Sequence, residues 1–568
     1  MESQYKKLNK KLDILTNQNP KHNTKQKEHN FQPRIINLSD IRLTKEQIQT
    51  LSLGPNYALE KEPKQYINEL IVDTENAIRQ LDPKLQNTYR HLATKQIKHI
   101  MTTNRHNIPH KRQQYILNQL KKILKNNNLT IVKADKTKAI VIISKEMLKD
   151  KVNNFIIENH MEQLNKDPTE AYQKQIQQTI QKCNKVIDKH VYKYLLNIKP
   201  TAPQLNVYIK IHKENQPIRP VINNIQAPSY KVARYINKRL QDLIALPYTY
   251  NTKNSQEIAE EIIKLQINEH MRIITLDIKD MYVNLPIKGI IQTAQFWLNK
   301  NNKNNKELNE QILHILNTIL KQNYFQYNDQ IFQPKKGIAM GSPISGTMAE
   351  IYLQYLEAIY IKHWLDNKEI VFYKRYVDDI LIIYDQRKIN EEIILHQINR
   401  VDKNLQFKIS TEENNTIHYL DISIYRNNKN FSIGIYRKPT ETGTVIHLTS
   451  NHPYEQKLSA FMYYINRLIT LPITEKSKQN EWKIILAIAK TNGYPIDMIH
   501  NLKSKLIFRK QNQKQQQEKT VARKKWVTFT HFSPLIRRVT NLFKQTNLKI
   551  AFRTTNTIQQ QLSEKTSI

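Results

Sequence analysis

Apolar and polar residues follow two different periods along the chain, and each period predicts a kind of element. Across residues 43–124 and again across 171–196, apolar residues recur three or four positions apart, which predicts helices. Residues 139–143 form a short apolar run and residues 205–222 alternate, and both patterns are typical of strands. We therefore predict a mixed chain in which a helical N-terminal region precedes a sheet.

Glycine marks one constrained loop, because three of the chain's eight glycines fall within residues 337–346. Glycine tolerates positive φ angles and lets the backbone approach another group closely, so this loop could lie against a base pair. Ser342 is a favourable N-cap and Pro343 suits the first helical position, which predicts a helix from there to about residue 365. Taken alone, the loop could equally be the ordinary start of a helix.

Two segments place carboxylates at the ends of apolar strands. Residues 272–277 end on Asp277, and residues 370–384 predict a β-hairpin with Asp378 and Asp379 near its turn. Adjacent ionised carboxylates repel each other, so the pair is unfavourable unless cations neutralise it. Two Mg²⁺ ions about 3.5–4 Å apart would do so and would clamp the oxygens of a phosphoryl transfer. For the hairpin alone, a solvated Asp–Asp turn is the alternative.

The charge of the chain favours a polyanionic partner. Lys and Arg together number 88 against 50 Asp and Glu, a formal charge of +38. Each neutralised phosphate releases counterions, which drives binding to nucleic acid. AT-rich coding also raises the Lys and Asn content, and we take both causes to apply.

The cysteine content and the hydropathy of the chain exclude several further classes of protein. The single cysteine, Cys183, excludes disulfides and cysteine-based zinc fingers. The N-terminus is polar and rich in Lys, unlike a signal peptide, and no apolar run approaches the roughly 18 residues of a membrane span. We expect an intracellular protein that is not secreted and has no membrane partner.

Nine strings of the sequence form a specific combination. They are LSLGPNYAL (51–59), KADKTK (133–138), KIHKENQPIRPV (210–221), LDIKDMYVNLP (276–286), GIAMGSPISGTMAEIYLQYLE (337–357), RYVDDI (375–380), YLDISIYR (419–426), YRKPTET (436–442) and SNHPYEQK (450–457). Together they resemble the reverse transcriptases of Penelope-like retroelements. The resemblance covers roughly residues 45–562, nearly the whole chain.

This resemblance implies an α+β right-hand polymerase, with fingers, a palm on a small antiparallel sheet, and a helical thumb. The expected domains are a basic flexible arm (1–42), a helical N-terminal extension (43–125), fingers and palm (126–430), a thumb (431–510), and a Gln-rich linker with a basic connector (511–568). In many relatives the connector leads into a GIY-YIG endonuclease with Cys and His ligands. We expect no endonuclease in this chain.

The resemblance also implies roles for individual residues. Asp277 and Asp378 would bind both metal ions, Asp379 would support them, and the backbone of Ile278 would touch the second ion. Lys408 could protonate the leaving pyrophosphate. The expected primer grip is Tyr419, Leu420 and Asp421.

A further set of residues is expected to bind the dNTP. It comprises Lys210, Arg219, Tyr282, Gly341 and Ser342, with Lys133 and Lys136 as weaker candidates. The guanidinium of Arg219 suits a triphosphate, since it can donate two parallel hydrogen bonds. Tyr282 occupies the position at which the family has the aromatic residue that excludes a ribose 2′-hydroxyl. The alternative is that Tyr282 only packs in the core.

The expected function is RNA-directed DNA synthesis, in which dNTPs are added to a primer 3′-hydroxyl with two Mg²⁺ ions, for which Mn²⁺ could substitute. The expected partners are an RNA template, a DNA primer and dNTPs, and the expected location is the nucleus. One alternative is a catalytically inactive or repurposed nucleic-acid-binding remnant of such an element. A second is an RNA-synthesising polymerase on the same palm, which Tyr282 disfavours.

Overall fold

The computed structural model describes residues 34–60, 63–102, 110–513 and 525–563. Most of the predicted basic arm and most of the Gln-rich linker lie outside these residues.

The N-terminal region is helical, as its apolar spacing predicts. Its elements are strand β1 (Ile35–Asn37) and helices α1 (Lys45–Ser52), α2 (Ile67–Ile78), α3 (Pro83–Thr102) and α4 (Lys111–Asn126), with a 3₁₀ turn at Pro63–Tyr66. Thr44 and Gln47 form a capping box that starts α1. The prediction of a flexible arm up to residue 42 is wrong for β1. That strand pairs in parallel with residues 140–142, so the described end of the arm belongs to a sheet.

The fingers follow, and they combine helices with short strands. Their elements are β2 (Leu129–Ala134), β3 (Ile140–Ser144), α5 (Lys145–Glu158), β4 (Glu162–Leu164), α6 (Thr169–Lys182), a 3₁₀ turn (Lys189–Val191), α7 (Tyr192–Leu195), β5 (Gln204–Ile209) and β6 (Ile218–Asn223). The helical stretch predicted over 171–196 is interrupted after Lys182 and resumes with the 3₁₀ turn and α7. After Lys182 the chain leaves the helix and buries Val186 and Ile187 in the core.

The palm contains the predicted carboxylate strands. Its elements, with two strands that return to the fingers sheet, are α8 (Tyr230–Leu243), α9 (Ser255–Ile262), β7 (Met271–Ile278), α10 (Met281–Asn284), α11 (Ile287–Asn301), α12 (Lys306–Lys321), β8 (Phe325–Tyr327), β9 (Gln330–Gln333), α13 (Ser345–Asp366), β10 (Ile370–Tyr376), β11 (Asp379–Asp385), α14 (Glu391–Val401) and β12 (Phe407–Thr411). The palm sheet has the order β10-β11-β7-β12 and is antiparallel throughout. The fingers sheet has the order β1-β3-β2-β5-β8-β9-β4, with β6 paired to β5.

Helix α13 begins later than the sequence predicts. Its N-cap position is Ile344, which makes no side-chain cap, so Ser342 and Pro343 do not start the helix. Residues 339–345 instead form turns, in which the amide of Ser342 and the hydroxyl of Ser345 both donate to the Ala339 carbonyl, at 3.2 and 2.8 Å. Once begun, α13 buries Met348, Ile351 and Tyr352, whereas Ile359 is exposed.

The remaining elements form a three-stranded sheet, a three-helix thumb and a C-terminal pair of strands. They are β13 (Thr416–Tyr419), β14 (Ile422–Arg426), β15 (Phe431–Ile435), α15 (Tyr454–Thr470), α16 (Glu475–Thr491), α17 (Ile496–Gln513), β16 (Lys525–His531), α18 (Arg537–Thr540), β17 (Leu548–Thr554) and α19 (Ile558–Leu562), with 3₁₀ turns at Pro534–Ile536 and Asn541–Phe543. The whole is an α+β right-hand polymerase fold with a helical N-terminal extension.

The predicted C-terminal connector packs against the N-terminal extension. Strands β16 and β17 pair in parallel, and Phe529 and Phe543 share an apolar cluster with Leu70 of α2. The amide of Thr530 donates to Asp73 Oδ2 at 2.7 Å. The two ends of the described chain therefore complete one unit, because neither covers its apolar face alone.

None of the helices in the described part of the chain combines the length and the apolar character needed to cross a membrane.

Candidate active site

Three strands of the palm bring predicted catalytic residues into one row. Asp277 is the penultimate residue of β7, where it is the register partner of Asp379 on β11 and of Lys408 on β12. Directly opposed residues of antiparallel strands point to the same face of the sheet. The side chains of Asp379, Asp277 and Lys408 therefore lie side by side.

The turn between β10 and β11 is held at three carbonyl groups. The Val377 carbonyl accepts a hydrogen bond from Arg375 Nη1 at 2.9 Å. The Asp378 carbonyl accepts one from the amide of Ile278 at 3.2 Å, and the Asp379 carbonyl accepts one from the Tyr419 hydroxyl at 3.1 Å. Val377 has a φ of 56°, which makes the turn tight. These bonds fix both aspartates of the hairpin against β7.

Arg375 is a residue whose importance the sequence analysis missed, although it lies in the RYVDDI string. Its side chain is 1% exposed, and it bridges two carboxylates of α13. Nε and Nη2 donate to Glu357 at 2.6 and 3.1 Å, while Nη1 and Nη2 each donate to Glu350 at 3.0 Å. Burial lowers the pKa of Arg375, but the charges of Glu357 and Glu350 outweigh burial and raise it. A permanent cation therefore ties α13 to the catalytic turn.

The electrostatics of the aspartates favour a bound cation. Burial raises the pKa of Asp379 to about 6, and the charges of Asp378 and Asp277 add to this rise. Burial and the charge of Asp277 also raise the pKa of Asp378. Such shifts mean that the ionised pair is unfavourable by itself, and a divalent cation would relieve it.

The donor set also fits magnesium chemistry. Among the described residues, no three His, Cys, Asp or Glu side chains converge into a ready-made metal site. Magnesium ions are usually held by only one or two carboxylates, with waters and substrate phosphates supplying the other oxygens. Asp277 and Asp378 are therefore a chemically suitable partial set, to be completed by substrate.

Two glycines of the glycine loop pack closely against the protein itself. A Cβ on Gly337 would lie 2.4 Å from the Val283 carbonyl oxygen. A Cβ on Gly341 would lie 2.2 Å from the Ile222 carbonyl oxygen. Gly341 thus lets the palm loop touch the end of fingers strand β6.

Tyr282 lies beside this loop and near the aspartates. Its carbonyl accepts a hydrogen bond from the amide of Ile338 at 2.8 Å, and its side chain is partly buried against the palm core. Burial raises the pKa of Tyr282, and the negative charge of Asp378 raises it further. The structure therefore places Tyr282 between the glycine loop and the catalytic turn.

The predicted cations of the fingers face the same region. Arg219 Nε lies 2.9 Å from Asp135 Oδ1, an ion pair without hydrogen-bond geometry, while Asp135 Oδ2 has no hydrogen-bond partner. Burial lowers the pKa of Lys210, which the charge of Asp280 opposes. The positive charges of Lys136 and Arg219 both act to lower the pKa of Asp378.

Lys438 is a second residue to which the sequence analysis gave no role. Its charge acts to lower the pKa of Asp379, against the larger effect of burial. It belongs to the YRKPTET string, which was the available signal.

The predicted primer-grip residues make contacts within the protein. Tyr419 is buried, and its hydroxyl is bound to the Asp379 carbonyl. Asp421 accepts a hydrogen bond from the Tyr463 hydroxyl at 2.8 Å and lies 3.1 Å from Arg467 Nε, both on α15. Leu420, with a φ of 52°, forms the tip of the β13–β14 hairpin. The hairpin thus connects the catalytic strand to the thumb.

Comparison with known families and structures bears on this site. Residues 444–504, which cover α15, α16 and part of α17, match a family described as animal helix-turn-helix domain. The sequence analysis predicted only a helical thumb there. No curated protein matches the chain.

Several solved polymerases resemble the chain at low identity. Telomerase from Candida albicans, solved with a fragment of telomeric RNA, has 12% identity, a TM-score of 0.44, and coverage of 79% of this chain and 82% of its own. Apo telomerase from Candida tropicalis has 10% identity, a TM-score of 0.40, and coverage of 79% and 83%. The Sicinivirus 3Dpol RNA dependent RNA polymerase has 12% identity, a TM-score of 0.36, and coverage of 58% and 70%. TM-scores this low do not support an assignment of function, which rests instead on the family match of residues 211–423.

That match covers the site described above. Residues 211–423, which include Asp277, Asp378, Asp379 and Lys408, match the family described as reverse transcriptase (RNA-dependent DNA polymerase). Reverse transcriptases in general use divalent metal ions. The chain therefore carries a reverse transcriptase domain and is an RNA-directed DNA polymerase, a nucleotidyltransferase that acts on a nucleic-acid template and primer.

Proposed function

We propose that this chain is the reverse transcriptase of a Penelope-like retroelement, and that it copies RNA into DNA with two Mg²⁺ ions. The observation that carries the proposal is the row of Asp379, Asp277 and Lys408 beside the anchored Asp378 turn. The nine sequence strings support the retroelement assignment. The expected reaction joins the primer 3′-hydroxyl to the α-phosphate of a dNTP.

Each residue of the site has a task in this proposal. Asp277 and Asp378, with the Ile278 carbonyl and Asp379 in support, would hold the two ions, with Mn²⁺ as a substitute. When bound, the ions would lower the pKa of the primer 3′-hydroxyl and neutralise the charge of the leaving pyrophosphate. Lys408 shares the face of Asp277 and donates a proton to that pyrophosphate.

The fingers residues bind the incoming nucleotide. Lys136, Lys210 and Arg219 surround the triphosphate, and Arg219 exchanges its ion pair with Asp135 for the phosphates. Tyr282, beside Asp378, excludes the 2′-hydroxyl of a ribonucleotide. Gly341 and Ser342 position the nucleotide through the loop backbone, and the positive charge of Lys438 stabilises the ionised form of Asp379.

The unpaired template is proposed to approach along a groove in the fingers. This groove has a volume of about 820 Å³ and lies between α7 and α8. Its lining includes Tyr194, Ile225, Lys199, Arg234 and Lys238. Ile225 lies three residues after Ile222, whose amide donates to the Met340 carbonyl at 3.0 Å in the glycine loop. One wall of the groove is therefore close in sequence to the strand that contacts the glycine loop.

The domain assignment follows from the same reasoning. Residues 126–430 serve as fingers and palm, and α15–α17 serve as the thumb that holds the primer–template duplex. The basic surface binds that duplex through its backbone phosphates. We place the protein in the nucleus, where an element of this kind would insert its copies.

Primer extension on an RNA template with Mg²⁺ tests the proposal. Wild type should extend a DNA primer, and Asp378→Ala should lose at least about a hundredfold in rate, since it removes a ligand from the phosphoryl-transfer site. Asp150→Ala, which removes an exposed carboxylate on α5, is the matched control and should keep full activity.

The same assay separates the rival functions. Folded wild-type protein that binds primer–template but incorporates no dNTP would support the inactive remnant. Incorporation of rNTPs as readily as dNTPs would support an RNA-synthesising enzyme. Tyr282→Ala should raise rNTP incorporation relative to dNTP incorporation if the tyrosine is the gate.

A further inference from the structure

The C-terminal strands carry an exposed face that the polymerase reaction does not use. In the parallel register of β16 and β17, Trp526 is opposite Lys549 and Thr528 is opposite Ala551. The Trp526 side chain is 68% exposed, and Lys549 Nζ lies 5.4 Å from its ring centroid. We call this surface, formed by Trp526, Thr528, Lys549 and Ala551, the Trp526 face.

The opposite face of the same strands is fully used for packing. Val527 and Phe529 alternate with the residues of the Trp526 face, and they are 7% and 0% exposed. They belong to a cluster with α2 and α3 that also contains Phe543 and is separate from the palm core. The strands are therefore held rigidly, and the exposure of Trp526 is not a consequence of a loose terminus.

An indole exposed in this way is unfavourable in isolation, which points to a ligand. Burying a tryptophan side chain usually contributes strongly to folding or binding. On β16 and β17 the Trp526 face leaves most of its ring in water while the neighbouring apolar residues are buried.

The charge around the face identifies the class of ligand. Residues 525–563 contain six Lys and Arg and no Asp or Glu. Two of the six, Lys525 and Lys549, lie next to Trp526 in sequence or register, and Arg553 is exposed further along β17. A cationic surface with an exposed aromatic ring suits a chain of phosphates and bases.

We propose that the Trp526 face binds single-stranded nucleic acid at a site separate from the primer–template path. A base stacks on the indole of Trp526, and Lys549 and Lys525 neutralise the flanking phosphates. A single strand is required, because the bases of a duplex are already stacked on each other. The site would hold a strand at the unit formed by the two chain ends while the palm copies.

The test uses the full chain with its palm occupied. The protein is saturated with a blunt RNA–DNA duplex, and a fluorescein-labelled uridine oligomer or thymidine oligomer is then titrated and followed by anisotropy. Trp526→Ala should weaken binding of the oligomer about tenfold, the loss expected from one base stack. Trp526→Phe should recover part of the affinity, because it keeps an aromatic ring.

Two lysine substitutions, one in the Trp526 face and one far from it, control for general electrostatic effects on binding. Lys549→Ala should weaken binding and lower the slope of affinity against salt by about one phosphate contact. Lys303→Ala, in the exposed loop before α12, should change neither. The uridine and thymidine arms tell whether the strand is RNA or DNA, and both outcomes fit a single-strand site.

Three results would overturn the proposal. One is unchanged oligomer affinity in Trp526→Ala when circular dichroism shows a native fold. Another is equal loss of affinity for the blunt duplex, which would place Trp526 in the primer–template path. The third is a concentration-dependent dimer that Trp526→Ala dissociates, which would make the face a contact between two copies of the chain.

Discussion

At the residue scale, the turn that carries Asp378 depends on a buried side chain of the strand before it. Asp378 lies on a two-residue turn and Asp379 begins the strand that follows it, and a turn with a positive φ at Val377 needs support. Arg375 supplies it, since one guanidinium binds the Val377 carbonyl and two carboxylates of α13. Arg375 is thus a positioning residue, and it couples the helix behind the glycine loop to the turn.

Replacing Arg375 by lysine should separate positioning from folding. Lysine keeps the charge, but the three N–H donors on its single nitrogen cannot replace the five hydrogen bonds that Arg375 makes. We expect kcat to fall about ten- to a hundredfold, as for a displacement of about 1 Å, with a smaller change in KM for dNTP. Steady-state primer extension measures both constants.

Arg387→Lys is the matched control for this substitution. Arg387 forms an ion pair with Asp385 at the far end of β11, and its side chain is 57% exposed. The Arg387→Lys variant should leave kcat unchanged. An equal loss of kcat in both variants, or a loss explained by a lower melting temperature of Arg375→Lys, would argue against a specific positioning role.

At the element scale, the catalytic strands were predictable and their partners were not. Asp277 ends an apolar run and the Asp378–Asp379 pair divides another, so strand and hairpin follow from the local pattern. The pairing of β12 with β7, which brings Lys408 to Asp277, has no such signal, because register depends on contacts distant in sequence. The predicted start of α13 was wrong for the same reason. The contact of Gly341 with fingers strand β6 holds the loop out of the helix.

Two glycines of this loop should respond differently to alanine. Gly341 has a φ of 116°, and its Cβ would lie 2.2 Å from the Ile222 carbonyl oxygen. Gly341→Ala should therefore destabilise the protein by more than about 1 kcal/mol and displace the loop, which lowers primer extension. Thermal unfolding and dNTP incorporation measure the two effects.

Gly346 provides the comparison within the same segment. It lies in α13, and a Cβ there would meet no atom within 4 Å. Gly346→Ala should stabilise the protein slightly, by up to about 1 kcal/mol, because alanine favours a helix. Loss of stability in Gly346→Ala similar to that in Gly341→Ala would contradict the assigned difference in packing.

At the scale of the whole molecule, the two ends of the described chain close onto each other and onto the thumb. Asn451 Nδ2 donates to the Phe532 carbonyl at 2.7 Å, and the amide of Leu59 donates to the Asn556 carbonyl at 3.1 Å. Sequence patterns predicted a helical extension and a separate connector, but the association of two segments so distant in sequence carries no periodic signal. The junction contains two histidines, His452, which is partly buried before α15, and His531, which is buried at the end of β16.

These histidines should make the junction sensitive to acid. Burial is the main cause that lowers the pKa of both His452 and His531 to about 4, and the charges of Lys457 and, for His531, Arg537 contribute to that value. In the unfolded chain the pKa is near 6.5, so below that value the unfolded state binds more protons than the folded state. The stability that neutral histidines provide is therefore complete above pH 6.5 and is lost as the pH falls towards 4.

Hydrogen exchange of β16 and β17, corrected for its intrinsic pH dependence, should show weaker protection at about pH 5 than at about pH 7. In His531→Phe, which keeps a ring against Phe552 and removes a proton site, the difference should shrink, whereas His363→Gln on the exposed face of α13 should leave it intact. An unchanged difference in His531→Phe would show that other groups govern the response to acid.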